Sequence, residues 1–431
     1  MTEDRVDVLV AGAGLCGLSA AVACARRSRV VVLEAAGHVG GKAASRRRDG
    51  YTFDCTGHWL HLRSERVRAF VYEHLPPERW VTIERRAAVY VAGVDVPYPF
   101  QTNLGALPGE LVRACLTDFV QARIDDARAG APPATFEEFI LRRFGRQMAE
   151  IFFVPYNEKL WDRPLRELTA AWMGRFLPDP TVDQVVAGAL GVSSAPVGYN
   201  ATFLYPKAGG IGALAEALAR ALGPARVRTN TALTAVDPLA RRARAADGTE
   251  YRYDRLIATV PLPSLVAMCE GAPAEVRDAA AALCAVDWHY LDVALRVPPR
   301  RPEHWIYVPD RDLPFFRVGS YSNAHPPLVP EGRGSLYVEL ADRARPHDPA
   351  AVAEGLVRVG MIASPADIAF VEPRRIPGAY VVFDDRWGPA RDTVFAYLRR
   401  HGIEARGRYG RWTYNSMEDC IADGLDAAEE D

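Results

Sequence analysis

The sequence predicts an α/β fold in three blocks, and three observations predict it. Residues 6–34 read strand, glycine-rich turn, helix, strand. From Thr102 to about Ala201 the apolar residues recur at helical spacing. Segments 84–100 and about 285–345 are rich in Val, Tyr and Phe with alternation, as half-buried antiparallel strands are.

The first block carries the most specific pattern. Val-Asp-Val-Leu-Val-Ala (6–11) reads as a buried parallel strand and Arg29–Glu34 as a second one ending in an acid. Between them, Gly12-Ala-Gly14-Leu-Cys-Gly17 opens a small, apolar helix. Gly12 permits the tight turn, Gly14 lets backbone approach a pyrophosphate, and Gly17 lets helix and strand pack closely. The helix N-terminus offers unpaired N–H groups to phosphates. Glu34, twenty residues past Gly14, is placed to accept hydrogen bonds from a ribose diol. Together these make a dinucleotide-binding βαβ unit.

In the helical block, Leu111, Val112, Cys115, Leu116, Phe119, Val120 and Ile124 are expected on one buried helix face. Gly130–Ala134 is a loop, and Thr135 with Glu137 and Glu138 signals a new helix start. In the sheet block, Ala88-Val-Tyr-Val-Ala shows the alternation. Arg46-Arg47-Arg48 reads as a solvated loop, and the acidic end, Glu429–Asp431, as a frayed tail.

Composition narrows the function. With 52 basic and 54 acidic residues the net charge is −2, which argues against a nucleic-acid-coating protein. The 49% hydrophobic and 25% charged residues exclude intrinsic disorder. No apolar run is long enough to span a membrane, and the opening Met-Thr-Glu-Asp-Arg does not read as a signal peptide. Seven cysteines without a CxxC spacing suit a reducing compartment and give no metal site. The expected location is the cytoplasm.

A glycine pair with a lysine, Gly40-Gly41-Lys42, follows the ribose acid. It resembles the FAD family of amine oxidases, protoporphyrinogen oxidases and sugar-nucleotide mutases. Tyr205-Pro-Lys-Ala-Gly-Gly-Ile-Gly212, the Leu214/Leu218/Leu222 helix and Val227-Arg-Thr-Asn-Thr resemble its second FAD segment, and Ile257–Pro261 its returning strand. The resemblance implies a discontinuous FAD-binding Rossmann-like domain (1–64, 203–262, 375–431). An antiparallel sheet domain (65–101, 263–374) and an inserted helical domain (102–202) complete it.

Further along, the chain resembles UDP-galactopyranose mutase, especially the eukaryotic type, over nearly its whole length. Asp54-Cys-Thr-Gly-His58-Trp resembles the histidine loop beside the flavin. Val96-Pro-Tyr98-Pro-Phe100-Gln101 resembles the uridine segment, and Val154-Pro-Tyr-Asn157-Glu-Lys-Leu-Trp161 resembles the family's Pro-Tyr-Asn-x-Lys-Val-Trp. Asn200-Ala-Thr-Phe precedes the second FAD segment. Trp305-Ile-Tyr307 and Leu313-Pro-Phe-Phe-Arg317 resemble nucleotide and diphosphate contacts, as do Tyr380 and Gly407-Arg408-Tyr-Gly-Arg-Trp-Thr-Tyr414. By resemblance, Arg317, Arg408, Tyr380, Tyr414 and His58 are the catalytic set. Tyr98, Phe100, Gln101, Asn157, Phe176, Asn200, Trp305 and Tyr307 bind substrate. Gly12, Gly14, Gly17, Glu34, Gly41, Lys42, Val227, Gly407 and Met417 bind FAD. Met417 starts a helix whose N-terminus stabilises the reduced flavin.

The family's reaction implies a nucleotide-diphosphate sugar as substrate and FAD in reduced form. It interconverts pyranose and furanose through an adduct of the sugar on flavin N5. Two arginines suit a diphosphate because they clamp its oxygens bidentately. The resemblance admits NAD(P)H as reductant, bound without a second GxGxxG, and leaves room for a homo-oligomer. Three departures fall on the sugar side: Phe176 in an arginine's register, Ala324 for a tyrosine and Arg63 for a histidine. They point to a sugar other than plain galactose. The other reading is an FAD-dependent oxidase or dehydrogenase of the amine oxidase family, acting on an amine or secondary metabolite.

Overall fold

The computed structural model describes residues 3–170, 179–192, 201–341 and 347–429. Its first sheet has seven strands from three separated stretches of chain. Glu3–Ala11 lies between Val30–Leu33 and Glu250–Ala258, parallel to both. Val6, Leu9 and Val10 are fully buried, as a parallel strand covered on both faces requires. Val227–Arg228 extends the sheet beyond Val30–Leu33, and Ile403–Ala405 pairs with the C-terminal end of Glu250–Ala258. The helix Leu15–Cys24 packs close to the sheet because Gly17 has no side chain. A Cβ there would meet the Gly12 carbonyl oxygen at 2.0 Å.

The second sheet runs Ile368–Val381, Ala285–Leu295, Gly334–Leu340, Phe315–Ser320, Trp305–Tyr307, Ala87–Val91, Val94–Pro97. Neighbours are antiparallel except Trp305–Tyr307 and Ala87–Val91, which run parallel. The sequence reading assigned 375–381 to the dinucleotide domain. These residues instead continue the edge strand of this sheet, with Ile376 opposite Trp288 and Tyr380 opposite Val286. Alternation divides the sheet's faces. Leu336, Val338 and Leu340 join Val352 and Leu356 of the helix Pro349–Arg358 in one core. Tyr337 and Glu339 face the other way, toward the first domain's cleft.

The helical block contains Gly109–Arg128, Phe136–Met148, Val154–Trp161 and Val182–Ala189. Thr135 caps its helix by accepting from the Glu138 N–H at 3.2 Å. Cys115 and Phe119 are buried, but Val120 and Ile124 are 38% and 42% exposed. The buried stripe of Gly109–Arg128 is narrower than its apolar pattern. The seven cysteines form no disulfide with one another.

Candidate active site

The two sheets and the helix Val154–Trp161 enclose one cleft of about 670 Å³. Its first end is a cradle made by the glycine-rich turn. Gly12 has φ +103°, and a Cβ there would meet Thr259 Oγ1 at 2.4 Å, so only glycine fits. Gly14 has nothing within 4 Å of where a Cβ would stand and opens onto the cleft. Glu34 fixes the turn: Oε2 accepts from the Ala13 N–H at 2.7 Å and Oε1 from the Ala36 N–H at 2.8 Å. Gly41 and Lys42 line the same end, and so does Gly407. Val227 does not: it pairs with Val32 in the sheet, and the wall is formed by Ala232 and Leu233.

Met417 is the first residue of the helix Met417–Asp426 and lies on the wall. Ser416 and Asp419 form a capping box, which satisfies the Asp419 N–H; that of Met417 has no acceptor among the described residues. His58 also lines this region. Burial, with Arg408, Arg317 and Lys42 nearby, pushes its pKa down to about 4, against a smaller opposite effect of the Cys55 backbone. It is therefore a neutral imidazole at pH 7, able to hydrogen-bond but not to act as a charged acid. Burial pushes the Cys420 thiol up to about 11, so this cysteine offers no thiolate nucleophile at neutral pH.

The cradle fits a flavin dinucleotide. A bare glycine faces open space where a pyrophosphate approaches, an anchored carboxylate stands at the ribose position, and a helix N–H is unpaired at the far end.

Beyond it the cleft becomes aromatic and cationic. Tyr98 and Tyr307 lie with centroids 5.0 Å apart, and Tyr156 meets Tyr307 edge-on at 5.3 Å. Gln101, Asn157 and Trp305 are on the wall. Phe100 is not: it is fully buried behind Phe152, with centroids 4.9 Å apart, and supports the wall from the core. Phe176 and Asn200 lie outside the described residues.

Arg317 and Arg408 both line the cleft, in different environments. Arg317 holds Glu339 bidentately, its Nη2 donating at 2.8 Å. Glu339 is fully buried and also accepts from the Trp288 indole at 3.1 Å. Strand pairing puts Arg317 directly opposite Glu339. Arg408 is caged between Tyr380 and Tyr414, with each ring centroid 4.5 Å from its guanidinium carbon. It donates to the Ala379 carbonyl at 2.9 Å and, among the described residues, has no carboxylate partner. Trp288 stacks on Tyr380 at 4.4 Å and stiffens the cage.

Glu339, Trp288 and Tyr337 had no sequence signal of their own. Two further ties were also unforeseen. Lys159 donates to the carbonyls of Val308 (3.0 Å), Asp310 (2.8 Å) and Phe315, which fixes the turn between Tyr307 and Arg317. Arg63 pairs with buried Glu418 (2.6 Å), joining the histidine loop to the helix Met417–Asp426. Ala324 is buried in the core and is not on the wall.

A dinucleotide cradle opening onto an aromatic chamber defines a flavoprotein of the two-sheet oxidoreductase class. Residues 15–304 match the family of flavin containing amine oxidoreductases, and the chain belongs to that family. A probable UDP-galactopyranose mutase from Klebsiella pneumoniae is 26% identical over 175 residues, 39% of this chain and 44% of that protein. The sequence match thus spans under half of that curated relative. The crystal structure of reduced UDP-galactopyranose mutase superposes with TM-score 0.89 at 26% identity, covering 98% of this chain and 95% of the other. A putative protoporphyrinogen oxidase from Exiguobacterium sp. 255-15 shares the fold, with TM-score 0.72, 17% identity and coverage of 100% and 98%.

Proposed function

We propose that this protein is a flavoenzyme that isomerises the sugar of a nucleotide-diphosphate sugar between pyranose and furanose forms. The observation that carries the reading is the caged Arg408: a half-buried guanidinium with no carboxylate partner among the described residues, facing the same cleft as the dinucleotide cradle. A partly desolvated, uncompensated cation favours an anionic ligand. It disfavours the ammonium group that an amine oxidase would admit. The likeness to UDP-galactopyranose mutase supports the same choice.

Bound FAD, in its reduced form, supplies a nucleophile for the anomeric carbon. The chain's own residues do the rest. Arg408 and the Arg317 N–H groups not taken by Glu339 hold the diphosphate before and after it leaves. Tyr380 and Tyr414 fix the Arg408 plane, and their hydroxyls are placed to donate. Tyr98 and Tyr307 offer a stacking surface for the base. Neutral His58 offers a hydrogen bond at the flavin end without adding positive charge.

A sugar other than plain galactose is part of the proposal. It rests on Phe176 and on Arg63, whose guanidinium is held by Glu418. The test is dithionite-reduced, FAD-loaded protein incubated with a panel of nucleotide-pyranoses. Furanose formation that requires prior reduction supports the reading. An inert panel, with hydrogen peroxide released from an amine, overturns it. NAD(P)H in place of dithionite tests the physiological reductant, and light scattering tests for a homo-oligomer.

A further inference from the structure

The basic run Arg46-Arg47-Arg48 has no part in this function, and the structure divides it. The run lies on the strand Ser45–Arg48, paired antiparallel with Tyr51–Asp54. Successive side chains on a strand point to opposite faces. Arg46 donates to Asp292 at 2.7 Å and to Tyr290 at 3.1 Å. Arg48, two positions on, pairs with Glu372 and Asp49 and lies over the Phe370 ring. Arg47 leaves the other face, directly opposite Thr52, and among the described residues it has no acid or hydrogen-bond partner.

Arg47 and Thr52 line a second cleft of about 470 Å³ that shares no residue with the flavin cleft. Its facing wall is Lys207-Ala208-Gly209, with His325 beneath. The His325 ring bonds the Lys207 carbonyl through Nε2 at 3.0 Å, which fixes that wall. Lys207 has no acid partner among the described residues. The N–H groups of Ala208 and Gly209 have no acceptor among the described residues, and Gly209 and Gly210 sit at φ +88° and +71°. The one carboxylate on the wall, Asp49, is taken by Arg48 Nε at 3.2 Å.

Arg48 also lines the wall but is held by Glu372 and Asp49. What remains is a set of donors: two cations, a threonine hydroxyl and two backbone N–H groups, with Pro327 and Leu328 as an apolar margin. Such a set matches the oxygens of a phosphate dianion. We propose that this cleft is a second ligand site that takes a phosphate group, either free or as the monoester of a small metabolite. Because Arg47 and Lys207 are exposed, binding weakens as salt rises.

The test is calorimetric titration of the flavin-loaded protein with inorganic phosphate, ionic strength being held constant with chloride. The expected result is saturable binding that persists in Arg408→Ala, so that it does not belong to the flavin cleft. It should weaken about five-fold or more in Arg47→Ala/Lys207→Ala. Arg146→Ala, at a 78% exposed arginine that does not line this cleft, should leave it unchanged. Flavin content and circular dichroism of the double variant report that it is folded. A parallel titration with phenyl phosphate separates the two sources: tighter binding than phosphate assigns an ester, weaker binding the free ion. Absence of saturable binding, loss of it in Arg408→Ala, or an unchanged affinity in a folded double variant overturns the proposal. It stands or falls independently of the isomerase reading.

Discussion

Replacing Arg317 with alanine would leave Glu339 as a fully buried carboxylate with, among the described residues, the Trp288 indole as its one side-chain partner. Breaking a buried ion pair by removing one side costs about 3–5 kcal/mol, because the remaining charge is uncompensated. The Arg317 side chain is 21% exposed at the cleft wall, so water can reach the vacated space. The lower end, about 3 kcal/mol, is therefore expected. Arg408→Ala removes a cation that has no carboxylate to orphan. It loses two close cation–π contacts, to Tyr380 and Tyr414, of about 0.5–1 kcal/mol each, and a distant one to Tyr409. It also loses a backbone hydrogen bond to Ala379 of about 1 kcal/mol and a longer, weaker one to Asn415. Relief of its own buried charge offsets part of this. Urea midpoints of flavin-loaded single variants should therefore fall further for Arg317→Ala than for Arg408→Ala. The double variant Arg317→Ala/Glu339→Gln should recover about 2 kcal/mol over Arg317→Ala, because a neutral amide needs no counter-charge. A double variant no more stable than Arg317→Ala, or equal losses in the two arginine variants, refutes the assignment of Glu339 as the counter-charge of Arg317.

Other outcomes follow from the same geometry. Glu34→Ala leaves the Ala13 and Ala36 N–H groups without their acceptor and should lower flavin affinity about tenfold or more, read by fluorescence of released FAD. Arg408→Lys keeps the charge but loses the planar fork, and should weaken nucleoside diphosphate binding about ten- to a hundredfold with flavin content unchanged. His58 has a folded pKa near 4, below its unfolded value of about 6.5, so the unfolded chain binds the extra proton in that window. Stability should therefore fall as pH drops from about 6.5 toward 4, and His58→Asn should flatten that decline in urea midpoints. An equal slope in the variant would remove His58 from the account.

The parts legible in the sequence were those written locally. The turn at Gly12, Gly14 and Gly17 and the anchored Glu34 lie within one continuous segment. Its chemistry needs glycine at fixed places, so spacing alone shows it. The helix start at Thr135 and the helix beginning at Met417 were legible for the same reason. Glu339 was not, because nothing in Gly334–Leu340 marks it until the strand pairs with Phe315–Ser320 and alternation turns it to Arg317. The Lys159 cradle and the Arg63–Glu418 pair likewise join positions far apart in the chain. Phe100 illustrates a different limit: an aromatic beside Tyr98 and Gln101 reads as a contact residue, yet it supports Phe152 from behind. The strand Ile368–Val381 was not legible because both of its faces carry charges: Arg374 turns inward to buried Asp292 while Arg375 is exposed and pairs with Asp287. The triple arginine looked uniform, and only the pairing with Tyr51–Asp54 separates its faces.

The central claim is that Arg317 and Arg408 hold a nucleoside diphosphate over the flavin. It is tested most directly by a crystal structure of the reduced, FAD-loaded protein soaked with a nucleoside diphosphate. The account predicts two phosphate groups between the Arg317 and Arg408 guanidinium groups, with the base against Tyr98 and Tyr307. Diphosphate density elsewhere, or a cleft that stays empty at saturating ligand while an amine substrate occupies it, would contradict it.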